Sequence, residues 1–294
     1  MLPHVILGRT GLEVTRIGIG GFPFGGINKA RNWNPFTPEG QITAIATIHA
    51  ALDSGITYID TAPGYGKGNS ESIFGRALKG RRNQVVLATK APYKDVSKAD
   101  VIESVEASLK RLQTDVIDII QFHGGMYTES QVNHMLKRGP LDAFFELKAQ
   151  GKVRFLGFTV EEPWTAKPLI ATGHFDVMQI RYNIIYQAAA LHVLDEAQAA
   201  NMGIAVMRPM TSGIFQRLAE YLAPEWNNTH DLYEVALKYV LSDSRVHVAN
   251  VGMRWPGEVD KNVSLATTFT PPFDMATLPR MTAHIYNTED ENLA

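Results

Sequence analysis

Two alternating patterns of apolar residues run through this chain. Short, nearly unbroken β-rich runs lie at RIGIGG (16–21), ITYIDTA (56–62), VVLATK (85–90) and VIDIIQFHG (116–124). Four more follow at VRFLGFTV (153–160), DVMQIRYN (176–183), GIAVMRPM (203–210) and HVANVGM (247–253). Unbroken apolarity is what a parallel strand covered on both faces requires. Between the runs the apolar positions recur at helical spacing. One helix is predicted after Ser97, where Ser97-x-x-Asp100 forms a capping pattern and Val101, Val105, Leu109 and Leu112 share a face. A second carries Leu141, Phe144 and Leu147 and stops at Gly151, a residue suited to the position just past a helix end. A third carries Leu232, Val235, Ala236, Tyr239 and Val240. The leading VILGRTGLEVT reads as a hairpin turning at Arg9-Thr10-Gly11.

Eight strands spaced about 33 residues apart match the length of a βα unit in a barrel. The predicted fold is therefore α/β, a (β/α)8 TIM barrel forming a single domain over residues 1–294, with the N-terminal hairpin closing the barrel floor. A doubly wound sheet shares the βα alternation, but its dinucleotide fingerprint is missing. GIGGFP and GYGKGN place Pro23 and Asn69 where the third glycine would fall.

Composition narrows the chemistry. A net charge of −2 with no long basic run offers no general attraction to nucleic acid or an anionic membrane. The absence of cysteine removes disulfides, thiolate catalysis and cysteine-ligated metal. No HExxH or Walker-type motif occurs, and no apolar run approaches the ~20 residues of a membrane span. The N-terminus lacks the pattern of a signal peptide, so a cytoplasmic protein is expected. Two sequons, at Asn227 and Asn262, would matter only in a secreted protein.

Active sites of this barrel type sit at the C-terminal ends of the strands. The polar residues there are Asp60 with Tyr65 on the following loop, then Lys90, His123, Thr159, Gln179 with Asn183, and Arg208. Each alone has an ordinary structural explanation: a loop-capping aspartate, a satisfied histidine, a loop aromatic. A lysine ending the run VVLAT, however, is rarely buried without a partner. Free tyrosine, with a pKa near ~10, is a poor acid at neutral pH. An ammonium beside its oxygen lowers that value, and Asp60 can serve as the ammonium's counter-ion. A neutral histidine can donate to a substrate oxygen. Such a set can protonate a carbonyl oxygen as it becomes an alkoxide, or deprotonate an alcohol in reverse. It lacks an electron carrier, which a nicotinamide would supply. The glycines at 64 and 66 would let the phenol swing over the barrel mouth.

With these residues in view, the chain resembles the aldo-keto reductase family over nearly its whole length. LGRTGLEVTRIGIGG is similar to the family's hairpin and first strand, and YIDTAPGYGKGNSESIFGRAL to its Asp–Tyr segment. VVLATK and DIIQFHG supply the matching lysine and histidine. The resemblance implies catalytic roles for Asp60, Tyr65, Lys90 and His123, with NAD or NADP as cofactor. It implies that Gln179 and the strand end near Thr159 hold the carboxamide, with Gly21 and Phe22 near the ring. Met207, Arg208, Pro209, Met210 and Ser212 would line the nicotinamide and pyrophosphate, and Gly252, Arg254, Glu258 and Asn262 the adenosine. Three positions depart from the family pattern. Thr159-Val160 replaces a common Ser-Asn pair, Met207 replaces a stacking aromatic, and Glu258 stands where a basic residue often meets the 2′-phosphate. Glu258 points to NAD over NADP by the logic of acidic ribose-binding residues, while Arg254 argues the other way.

The loop FPFGGINKARNWNPFTPEG is long for a βα connection. Its Lys29, Arg31, Trp33 and Asn34 would suit a sugar bearing an anionic group if they faced the pocket; otherwise Lys29 and Arg31 are solvated. Interconversion of a carbonyl and an alcohol is the expected activity. The alternatives are a redox-neutral sugar-processing enzyme using retained NAD transiently, a non-catalytic cofactor-sensing subunit, and a Schiff-base aldolase built on Lys90.

Overall fold

All eight apolar runs form strands in the computed structural model, which describes residues 1–222, 224, 226 and 230–271. The sequon at Asn227 and the polar tail from Thr277 lie outside the described residues. A two-stranded antiparallel hairpin comes first, β1 (His4–Ile6) with β2 (Glu13–Thr15). The barrel strands are β3 (Ile17–Gly20), β4 (Tyr58–Asp60), β5 (Val86–Ala91), β6 (Ile117–Phe122), β7 (Val153–Val160), β8 (Val177–Arg181), β9 (Gly203–Met207) and β10 (Val248–Gly252). Each pairs in parallel with the next, and β10 pairs with both β9 and β3, which closes the ring.

Around it lie α1 (Pro38–Asp53), α2 (Asn69–Ala77), α3 (Lys98–Leu112), α4 (Glu129–Lys137), α5 (Pro140–Ala149) and α6 (Pro163–Ala171). The series continues with α7 (Ala188–His192), α8 (Leu194–Ala199), α9 (Ile214–Leu222), α10 (Leu232–Ser242) and α11 (Pro256–Thr268). The expected signals act as read. Ser97 and Asp100 form a reciprocal capping box at the start of α3. Gly151, at φ 73°, follows α5 in the left-handed conformation that only glycine adopts without cost. None of the helices among the described residues is long and apolar enough to cross a membrane.

The barrel interior has two chemically distinct halves. Near the N-terminal ends, Tyr58, Val86, Ala88, Ile119, Val177, Ala205 and Val248 pack around Leu7 and Val14 of the hairpin, which therefore plugs the floor. Gly203 makes the plug fit, since a Cβ there would lie 2.6 Å from Leu7 Cγ. Burying a side chain such as Leu7 contributes about 1.5–3 kcal/mol, so the hairpin is held by packing as well as by the Arg9 N–H bond to Asn201 O. Toward the C-terminal ends the lining turns polar. Strand register places Gly20 beside Asp60, Lys90 beside Gln121, and Thr159 beside Gln179. The period of two along a strand sends these alternate residues inward.

Candidate active site

Asp60 and Lys90 answer each other's burial. They are 3% and 2% exposed, and Lys90 Nζ donates to Asp60 Oδ2 at 2.7 Å and to Thr61 O at 2.8 Å. Two desolvated charges persist in a barrel interior only when paired and hydrogen-bonded. The second carboxylate oxygen, Asp60 Oδ1, accepts from Gln121 Nε2 at 3.2 Å. Gln121 is a site residue that the sequence reading passed over. Its signal was a polar residue inside the apolar run DIIQFHG, in step with the inward-facing positions of β6.

Tyr65 reaches this pair from the loop after β4. Its ring centroid lies 4.8 Å from Lys90 Nζ. His123 stands edge-on to it at 5.6 Å and 84°, and Phe22 likewise at 5.4 Å and 89°. The loop is clamped rather than free to swing. A Cβ on Gly25 would fall 2.4 Å from the Tyr65 carbonyl carbon, and residues 66–68 all adopt positive φ.

Burial dominates the Tyr65 acidity and raises its pKa, while the positive charges of Lys90 and Arg208 pull it down and Asp60 pushes it further up. The net direction is upward. The expected depression by lysine is thus present as an influence but outweighed, because the phenol loses water around its anion. Lys90 itself is raised: burial opposes its charge, but Asp60 and Tyr65 together outweigh burial. His123 is held down to about 4, first by burial and then by the charge of Lys90, so its imidazole is neutral at pH 7.

The remaining sequence-predicted residues divide by what their polar atoms do. Gln179 is buried at 2% exposure, and its Oε1 has no hydrogen-bond partner among the described residues. Thr159 lies beside it, but its hydroxyl is engaged with Gly124, donating to O at 2.8 Å and accepting from N at 3.0 Å. Asn183 ties the ends of β8 and β9 together, donating to Arg208 O. Gly21 is packed under Ser70 and Phe74, and its N–H bonds Asp60 O at 2.7 Å. Met207 ends β9 opposite Arg181, Pro209 is buried, and Met210 packs against the core. Arg208 bonds Glu161 Oε1 at 2.9 Å, and Glu161 and Glu162 also hold Arg181. This cluster of two arginines and two glutamates was not anticipated, since its members come from the end of β8 and from the loops after β7 and β9.

At the far side, Gly252 ends β10 against Pro23. Glu258, in the first turn of α11, accepts from Arg254 N at 2.7 Å and from Arg31 at 3.1 Å. Asn262 donates to Glu258 O at 2.7 Å from within the helix, and is only 7% exposed. Of the long-loop residues proposed to face a substrate, Trp33 is buried and donates to Pro23 O. Asn34 shapes the turn by accepting from Phe36 N, Lys29 is exposed, and Arg31 is drawn away to Glu258. That arrangement leaves Arg31 and Trp33 without the pocket role first considered for them.

The residues present fit a nicotinamide dinucleotide. Gln179 offers a buried, unsatisfied acceptor of the kind a carboxamide N–H would meet. Arg208, Thr211 and Ser212 take φ values of 57°, 58° and 54°, with Gly213 at 81°, just before α9. In this turn the N–H groups of Thr211, Gly213, Ile214 and Phe215 already bond Arg208 O, Met210 O, Thr211 O and Thr211 Oγ1, so what the segment offers an anion such as a pyrophosphate is the half-exposed Arg208 guanidinium. Strain of this kind in the β-branched Thr211 is unusual without a function.

A closed parallel barrel with a tyrosine, a buried ion pair and a neutral imidazole at the C-terminal ends of its strands places its candidate chemistry where enzymes of this barrel fold carry their active sites. The comparisons make the assignment specific: residues 16–279 match the model of the aldo/keto reductase family, and the chain belongs to that family of NAD(P)-dependent enzymes. It is 36% identical over 212 residues to aldo-keto reductase YhdN of Bacillus subtilis (strain 168), a match covering 67% of this chain and 59% of YhdN. L-galactose dehydrogenase of Arabidopsis thaliana is 27% identical over 299 residues, covering 89% of this chain and 87% of its own length. Among solved structures, the holo form of aldo-keto reductase AKR11C1 from Bacillus halodurans superposes with a TM-score of 0.75 at 26% identity, covering 93% of each chain.

Proposed function

We propose that this protein interconverts a small carbonyl compound (an aldehyde, ketone or sugar) and its alcohol, with Tyr65 as the proton donor and acceptor. The observation that carries the proposal is the convergence of Tyr65, Lys90, Asp60 and His123 on one point of the barrel mouth. A bound nicotinamide supplies or accepts the hydride. Tyr65 stays protonated at neutral pH because burial raises its pKa, so it enters the reductive direction carrying its proton. Lys90 and Arg208 stabilise the phenolate left behind. Asp60 keeps Lys90 charged, which argues against a Schiff-base role for that amine. His123, neutral, can donate a ring N–H to the substrate oxygen without competing as an acid.

Cofactor choice lies between NAD, which the charge of Glu258 favours, and NADP, which Arg254 favours. On substrate, the name of the relative L-galactose dehydrogenase supports a polyol or sugar. An anionic substituent would meet Arg208, whose charge already reaches Tyr65.

Reduction of a panel of aldehydes, ketones and aldoses by NADH and NADPH tests the reading. Tyr65→Phe is expected to lower kcat roughly 10²–10⁴-fold, the usual range for losing a positioned proton donor, while cofactor binding persists. Unchanged activity in that variant would overturn the mechanism. Substrate conversion with no net change in NAD(P)H would point instead to the redox-neutral alternative.

A further inference from the structure

The long loop after β3 packs against Tyr65 at its start and reaches the N-terminus of α11 at its tip. Asn28 and Trp33 exchange two backbone hydrogen bonds, each 2.9 Å, and Asn32 is left-handed, so residues 28–33 form a closed turn. The base of this turn is fixed by the buried Trp33 indole, which donates to Pro23 O and stands edge-on to Trp255 at 5.5 Å and 76°. Trp255 is the residue immediately before α11. The turn therefore presents Arg31 to the N-terminus of α11, the segment that carries Arg254 and Glu258.

There Arg31 Nη1 donates to Glu258 Oε1 at 3.1 Å, and Nη2 to the Tyr233 hydroxyl at 3.2 Å. The other Glu258 oxygen is fixed on Arg254 N. The two guanidiniums lie close enough that Arg31 helps to lower the Arg254 pKa, after burial, which is the larger influence. Arg254 Nε is buried with no hydrogen-bond partner among the described residues. One carboxylate thus holds the Arg31 guanidinium and the Arg254 backbone while the Arg254 guanidinium lies near both, so the cluster has two positive charges to one negative and a buried N–H donor without a partner among the described residues.

Resting on the cofactor reading above, we propose that Arg31 is the residue that sets NAD against NADP. By neutralising Glu258 it removes the repulsion that this carboxylate would exert on a 2′-phosphate. With Arg254 it then leaves a net positive site for that phosphate. Without Arg31, the Glu258 charge is exposed to the cofactor, and a ribose hydroxyl becomes the better partner. The specificity element is contributed by a loop more than two hundred residues away in sequence from the segment that it modifies.

Calorimetric titration of the protein with NAD⁺ and NADP⁺, each without substrate, reads this directly. Arg31→Ala is expected to weaken NADP⁺ binding by about tenfold or more relative to NAD⁺, the scale of one charge-assisted phosphate contact. Arg31→Lys, which restores the charge, should recover most of the ratio, and Arg31→Glu should lower it further. The wild-type ratio should fall as salt rises, because the cluster is exposed enough to be screened. Arg31 is on the surface, so melting of the cofactor-free variants should match the wild type. If the NADP⁺/NAD⁺ ratio is unchanged in Arg31→Ala while both cofactors still bind, this inference falls and the proposed function stands. If the wild type binds neither cofactor, the proposed function falls and takes this inference with it.

Discussion

Replacing Lys90 with methionine tests the physical centre of the site. Methionine fills nearly the same volume, so the change is electrostatic more than steric. It removes the donor to Asp60 Oδ2 and the donor to Thr61 O, both within 2.8 Å. Asp60 is then left as a buried carboxylate whose remaining side-chain donor is the neutral amide of Gln121. Breaking one side of a buried pair costs about 3–5 kcal/mol. At roughly 2–4 °C per kcal/mol for a large domain, Tm should fall by roughly 6–20 °C. Urea unfolding gives the same comparison at fixed temperature. Asp60→Leu combined with Lys90→Met removes both charges, and most of the lost stability should return. That double variant should be stable and inactive, which would show that the pair is kept for chemistry rather than for folding. A Lys90→Met protein within about 1 kcal/mol of wild type, or a double variant no more stable than the single one, would refute the reasoning.

Two other residues make separable predictions. The folded-state pKa of His123, about 4, lies below its ordinary 6.5, so between these values the unfolded chain binds the proton and the folded chain does not. Its contribution is fully present above pH 6.5 and is lost as pH falls toward 4, by at most about 3 kcal/mol. His123→Asn should flatten that part of the stability–pH curve, and a slope that persists in the variant would assign it elsewhere. Gln121→Leu removes the donor to Asp60 Oδ1 and should cost about 1.5–3 kcal/mol of stability. The same change should lower kcat and shift its pH profile with little effect on cofactor affinity; an unshifted profile would reduce Gln121 to a packing role.

Much of this protein is written locally. The barrel strands follow from unbroken apolar runs, because a strand covered on both faces has no solvent side to mark. The cap at Ser97 and the stop at Gly151 follow from backbone groups that only those residue types satisfy. Asp60, Tyr65, Lys90 and His123 were legible for a related reason: each is a polar or charged residue at or just beyond the end of an apolar run, where burial demands a partner. Gln121 could have been read the same way from its place in DIIQFHG.

The partners themselves were decided by closure of the barrel. Sequence spacing cannot say that the Thr159 hydroxyl is engaged by Gly124, that Glu161 gathers Arg181 and Arg208, or that Arg31 pairs with Glu258. Nor could it give the direction of the Tyr65 shift, since the lysine that lowers the pKa was visible in the sequence while the depth of burial that raises it was not. The sequence determined which residues must be buried and which chemistry they can perform. Only the tertiary structure, by fixing distances between residues far apart in the chain and the water excluded around them, decided how strongly each acts.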